Sequence, residues 1–325
     1  MANPKYDETT EFFLIAGKLN NRQKPVRLGK MALKGDTLAS LVLADNVDFD
    51  NNGETTQRLG RESVYAGDPH SFWTKHTDDQ TAYFVEDGVL KKLNLDFSAT
   101  NVATLSTNNP LVYELVNDEI VITNGVDIGW LRGTEYTPFS QTPGQFERQT
   151  VAGQYLVFYR GVLYVARDNI LFASKPWNIE VMDERLCQFP MEGHIRMLAS
   201  VTDGLWIATE KNLGYIAGKA IDEFEYSFMT DVVPPDGAFT REIEDRNGEL
   251  VNIVTWASEE GFCQGEDHGQ YKNVSGTEIA LPKAASGKVF RQFNNGIRQY
   301  IAVLYGPDYT RTYTAPDLST TERTI

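Results

Sequence analysis

A strand–turn–strand–turn–strand pattern recurs along the middle of this chain at a fixed interval. Its turn positions Asp118, Gly161 and Gly204 lie 43 residues apart in both steps. The first copy runs Leu111–Val116, Asn117-Asp118, Glu119–Ile122, Asn124-Gly125 and Val126–Arg132. The second runs Tyr155–Tyr159, Arg160-Gly161, Val162–Ala166, Arg167-Asp168 and Asn169–Ser174. The third runs Ile195–Val201, Asp203-Gly204, Leu205–Thr209, Glu210-Lys211 and Asn212–Ala217. Units of about 40–50 residues made of short strands mark propeller blades or related β arrays.

Similar units flank the regular ones. Phe72–His76, Ala82–Val85 and Val89–Leu95, turning at Asp87-Gly88, form a unit before them. After the loop Val232–Gly237, where two prolines exclude a central strand, Leu250–Ala257, Phe262–Gly265 and Gly269–Asn273 form another. The last is Lys288–Phe293 and Ile297–Tyr305 around Asn294-Asn295-Gly296. Near the start, Asn46–Asp50 and Glu54–Leu59 flank Asn52-Gly53, a hairpin signal because both turn positions need positive φ. Helical periodicity is weak, with Asn178–Leu186 the best candidate. The expected fold is all-β, a β-propeller of about five to six blades with an N-terminal extension. Residues 1–35, carrying the apolar pair Phe12-Phe13, read as a docking arm, 36–309 as the propeller and 310–325 as a polar tail. The N-terminal hairpin is the candidate for closing the ring against the last blade, or for an arm reaching a neighbouring subunit.

The formal net charge of −15 argues against a nucleic-acid groove, which needs an excess of Lys and Arg on at least one face. No apolar run is long enough to span a bilayer, and the N-terminus lacks a basic region followed by an apolar one. Synthesis in a cytoplasm, with no membrane span, is therefore expected. Cys187 and Cys263 have no CxxC spacing and read as reduced thiols on strands or at strand ends.

Candidate chemistry is sparse. Asp48–Gly53 begins like a calcium loop, but the twelfth position is Leu59 instead of a bidentate Glu, so it reads as a hairpin turn. His70, His76, His194 and His268 form no metal-binding spacing. No nucleophile motif occurs, and Gly125–Gly129 lies between strands, where a phosphate loop would need a helix. The runs Glu242–Asp245, Glu259-Glu260 and Glu266-Asp267 read as solvated turns, since a hydrolase needs carboxylates opposed across a cleft. The sequence therefore points to no enzyme, cofactor or metal. Trp73, Trp130, Trp177, Trp206 and Trp256 recur about once per unit, which suits inter-blade packing. The looped ones, Trp177 above all, are candidates for sugar stacking or a subunit interface.

Two stretches carry a family resemblance. Asn46–Glu54 with Arg58-Leu59-Gly60-Arg61 resembles an N-terminal hairpin that precedes a β-propeller in a group of tailed-bacteriophage virion proteins. Val64–Trp73 resembles the segment leading into the first blade there, with His70-Ser71 before a large aromatic. The resemblance covers about residues 46–73. It implies a structural component of the tail or head–tail region, at the tip or nozzle, with no catalytic residues to carry over. Its partners would be other virion subunits, tail or portal-proximal, in a multi-copy assembly, and its location the virion. Candidate interface or ligand anchors are Trp73, Trp177, Phe12 and Phe13. The alternative is a carbohydrate- or receptor-binding propeller of the same tail, and a propeller hydrolase is the remaining rival.

Overall fold

The computed structural model describes residues 16–19, 39–41, 47–49, 55–57, 65–75, 81–246, 249–276, 279–294 and 297–306. Its architecture is a succession of antiparallel sheets. Blade 1 comprises His70–Thr74, Ala82–Glu86, Val89–Leu93 and Ala99–Thr104. Blade 2 comprises Val112–Val116, Glu119–Thr123, Ile128–Arg132 and Glu135–Pro138. Blade 3 comprises Tyr155–Tyr159, Val162–Arg167, Ile170–Ala173 and Gln188–Pro190. Blade 4 comprises Ile195–Ser200, Gly204–Thr209, Leu213–Ala217 and Glu225–Thr230. Blade 5 comprises Phe239–Arg246, Glu249–Ser258, Gly261–Gly265 and Tyr271–Asn273. Blade 6, two-stranded among the described residues, pairs Ser286–Asn294 with Ile297–Tyr305. The expected all-β propeller of five to six blades is the observed one.

Local chemistry sets the hairpins. Asp87-Gly88, Asn117-Asp118 and Arg160-Gly161 hold both turn residues at positive φ, so each two-residue loop follows the twist of its strands. Asp203-Gly204 works differently. Gly204 opens a strand, and a Cβ there would lie 2.4 Å from the Tyr215 hydroxyl and 2.5 Å from the Ile216 carbonyl oxygen. The glycine at that repeat position serves close packing. The Val47–Phe49 and Thr55–Gln57 hairpin forms as expected. Among the described residues it pairs with no strand of blade 6, so the proposed closure by this hairpin is not found. Asn178–Leu186 is not helical; it contains the strand Val181–Asp183, paired with Glu147–Gln149.

The second strands are buried on both faces because each sheet is covered by its neighbours. Val121, Leu163 and Val165 pack between blades 2 and 3. Val157, Leu198 and Leu205 pack between blades 3 and 4. Met197, Trp206, Val254 and Trp256 fill the space between blades 4 and 5. The core is thus a series of inter-blade layers, and it accounts for Trp206 and Trp256 as the packing aromatics expected. Cys187 and Cys263 are buried thiols outside any disulfide.

Polar latches at the blade ends add direction to this packing. Ser71 Oγ accepts the Leu111 N–H (2.8 Å) and donates to His70 Nδ1 (2.9 Å), while His70 Nε2–H donates to Asn108 Oδ1 (3.0 Å). Between blades 4 and 5, Asp203 accepts the His268 N–H and Asp267 accepts the Thr202 N–H. Among the described residues no helix is long and apolar enough to cross a membrane.

Candidate functional site

The first strand of every blade faces a common central channel. Residues from all six line a cavity of about 870 Å³, within the range of ligand-sized pockets. Its wall is mainly apolar, with Val112, Leu156, Leu198, Phe239 and Val289. Phe72 and Phe290 line it while staying 63% and 40% exposed.

Charge enters this apolar space from three strands. Arg241 Nη1 donates to Glu114 Oε1 (2.9 Å) and to Ser200 Oγ (2.8 Å), and Nη2 donates to Glu114 Oε2 (3.3 Å). Glu114 Oε1 also accepts the Phe158 N–H at 2.9 Å. One network therefore joins blades 2, 3, 4 and 5. Burial raises the Glu114 carboxyl above its ordinary value, opposed by the Arg241 guanidinium and the Phe158 N–H. Arg291 donates to Glu242 at 2.7 Å, so the run Glu242–Asp245 is part of the inner strand Phe239–Arg246 and not a solvated turn.

Lys288 is the remaining cation. It makes no hydrogen bond or ion pair among the described residues. Its side chain is exposed at the cavity wall, where crowding by the surrounding protein lowers its pKa, with Asp236 pulling the other way. Asp236 itself accepts a hydrogen bond from the Tyr155 hydroxyl. Among the described residues three cations, Arg241, Lys288 and Arg291, line the cavity against one lining carboxylate, Glu114, the reverse of the protein's overall charge.

The anchors expected from the sequence separate. Trp73 lines the channel, half-buried, stacked on Tyr113 with ring centroids 5.4 Å apart. Trp177 lies away from it, 76% exposed, on the loop after Ile170–Ala173. Its backbone is left-handed at φ 60, held by its N–H donating to the Gly161 carbonyl at 2.7 Å. Such a conformation costs about 1–3 kcal/mol for a bulky residue and persists only where its surroundings enforce it. Phe12 and Phe13 lie outside the described residues, as does His76. Sequence reasoning missed Glu114, Arg241 and Lys288, each a charged residue on a strand. Among the described residues no group of three or more His, Cys, Asp and Glu could share a metal ion.

No protein-family model matches the chain. No curated protein matches it either. Among solved structures it is similar to the N-terminal domain of Nup159, with 14% identity over 70% of this chain and 71% of that one and a TM-score of 0.44. It is similar also to virginiamycin B lyase from Staphylococcus aureus, with 11% identity over 72% and 84% and a TM-score of 0.47. A gluconolactonase from Xanthomonas campestris gives 11% identity over 69% and 78% and a TM-score of 0.43. The class is a β-propeller. The expectation that the chain is not an enzyme is corrected here, because a lyase and a lactonase are among these propeller neighbours. Absence of a linear motif does not decide the matter on a fold whose channel gathers residues from distant strands.

Proposed function

We propose that this chain is a docking propeller of a tailed-bacteriophage virion, in the tail or head–tail region, seating a segment of a neighbouring subunit at its channel mouth. The resemblance of residues 46–73 supplies the virion context. The observation that carries the docking role is the mouth itself: Phe72 and Phe290 stay exposed around a largely apolar cavity also lined by Lys288, a cation in no ion pair among the described residues. An aromatic-rimmed concavity with an exposed lysine at its wall suits a partner segment with an apolar anchor and a carboxylate. Tight inter-blade layers keep the ring rigid, so little ordering is needed when a partner arrives.

The test is incorporation into particles. Phe72→Asp with Phe290→Asp should leave the purified protein folded, with an unchanged melting temperature, and should deplete it from assembled particles. Normal incorporation of the folded double variant would contradict the reading.

A further inference from the structure

A second concavity, of about 140 Å³, lies at the seam of blades 2 and 3, away from the channel. Its aromatic wall is made by Trp177, Trp130 and Phe158, with Trp177 the exposed one. The Trp177 ring rests on the Gly161 turn, where a Cβ would come within 2.7 Å of it. One ring face is therefore fixed against backbone, and the side chain is otherwise 76% exposed. Trp130 Nε1–H donates to Glu180 Oε1 at 2.9 Å, and the Ser140 and Gln141 N–H groups donate to Glu180 Oε2 at 3.0 and 2.9 Å. These three hydrogen bonds hold the Glu180 carboxylate, itself part of the lining, and brace the wall.

The polar lining has a distinct character. Asn117, Gln141 and Asn178 all line the cleft, and their side-chain amides make no hydrogen bond among the described residues. Each offers an acceptor and a two-proton donor in one plane. No Lys or Arg is among the lining residues. A pre-set aromatic platform ringed by water-facing planar amides, with no cation in the lining, matches one ligand chemistry. A pyranose ring presents C–H groups to an indole face and pairs of hydroxyls at its edge. A protein partner would instead call for a broader apolar patch, which Asn117 and Gln141 interrupt.

We propose that the cleft formed by Trp177, Asn117, Gln141 and Asn178 is a subsite for one uncharged sugar ring of a glycan. Trp177 stacks on the ring, and the three amides exchange hydrogen bonds with its hydroxyls. Left-handed Trp177 and the bare Gly161 beneath it keep the platform in place before the ligand arrives. The proposal is independent of the virion reading.

The experiment uses the full chain on an array of immobilised neutral and acidic oligosaccharides. Saturation-transfer NMR with methyl hexopyranosides and methyl N-acetylhexosaminides follows as a solution check. Expected is binding to neutral hexose-containing glycans, weakened about ten-fold or more by Trp177→Ala. Gly161→Ala, which keeps the tryptophan but displaces its ring, should weaken it as well, and Trp73→Phe should not. Melting temperatures establish that each variant is folded. Should Gly161→Ala fail to fold, Asn178→Ala takes its place with the same expected weakening. Absence of binding to every neutral sugar, or equal binding by Trp177→Ala, would overturn the proposal. Loss of Trp177→Ala from particles with no sugar bound by the wild type would likewise overturn it, in favour of a subunit contact.

Discussion

Replacing Arg241 by glutamine leaves the Glu114 carboxylate inside the channel with the Phe158 N–H as its remaining donor. Glu114 has only 8% of its side chain exposed, whereas Arg241 has 33%. Breaking a buried pair typically costs about 3–5 kcal/mol, because one charge is left uncompensated. Arg241→Gln should fall in that range at neutral pH. Glu114→Gln keeps an acceptor for Phe158 and strands the more hydrated partner, so solvent screening should reduce its cost to roughly 2–3 kcal/mol. The two variants also differ in pH response. In Arg241→Gln the folded-state pKa of Glu114, already raised by burial, loses its main opposing charge and rises further. Below the unfolded-state value, about 4.3, the acid is protonated in both states and no penalty arises. As pH rises through the folded-state pKa the penalty becomes complete, so stability falls with pH. Glu114→Gln shows no such slope. Glu114→Met with Arg241→Met should recover to within about 1 kcal/mol of wild type, since neither charge remains to be desolvated. Urea unfolding followed by tryptophan fluorescence at pH 4.5 and 7 measures all four proteins. An Arg241→Gln cost below about 1 kcal/mol at pH 7, or one unchanged by pH, would refute the reasoning.

Further outcomes follow from the core and the channel. Trp206 Nε1–H donates to the Glu266 carbonyl at 3.0 Å, whereas Trp256 Nε1 has no acceptor among the described residues. Trp206→Phe should therefore cost about 1–2 kcal/mol more than Trp256→Phe in chemical denaturation; equal or reversed costs would count against this packing. Lys288 should titrate below the other lysines when followed by NMR of reductively methylated protein, its resonance identified with Lys288→Arg. A value at or above 10.5 would show that its surroundings are fully hydrated.

Turn chemistry made most of the fold legible. Asn117-Asp118 and Arg160-Gly161 announce positive φ, and the runs beside them are buried strands. The fourth strands were hidden because they lie outermost: Ala99–Thr104 mixes small apolar and polar residues and has no buried residue, so no alternation marks it. Phe239–Arg246 was hidden for the opposite reason. Its Arg241 and Glu242 pair with partners on other blades, and in sequence the stretch looks like a solvated run. Arg241 and Glu114 are 127 positions apart, so no local pattern could pair them. Trp177 was legible as an exposed loop aromatic; its left-handed backbone and its seat on Gly161 were not, since both depend on how the loop folds back over that turn.

Cross-linking mass spectrometry on the intact native particle tests the docking account most directly. Lys75 follows the channel-lining residue Thr74, and Lys288 sits inside the cavity with a lowered pKa that favours acylation. Links from Lys75 or Lys288 to a different virion protein are the expected result. A chain recovered free and monomeric, with no link to any particle component, would contradict it.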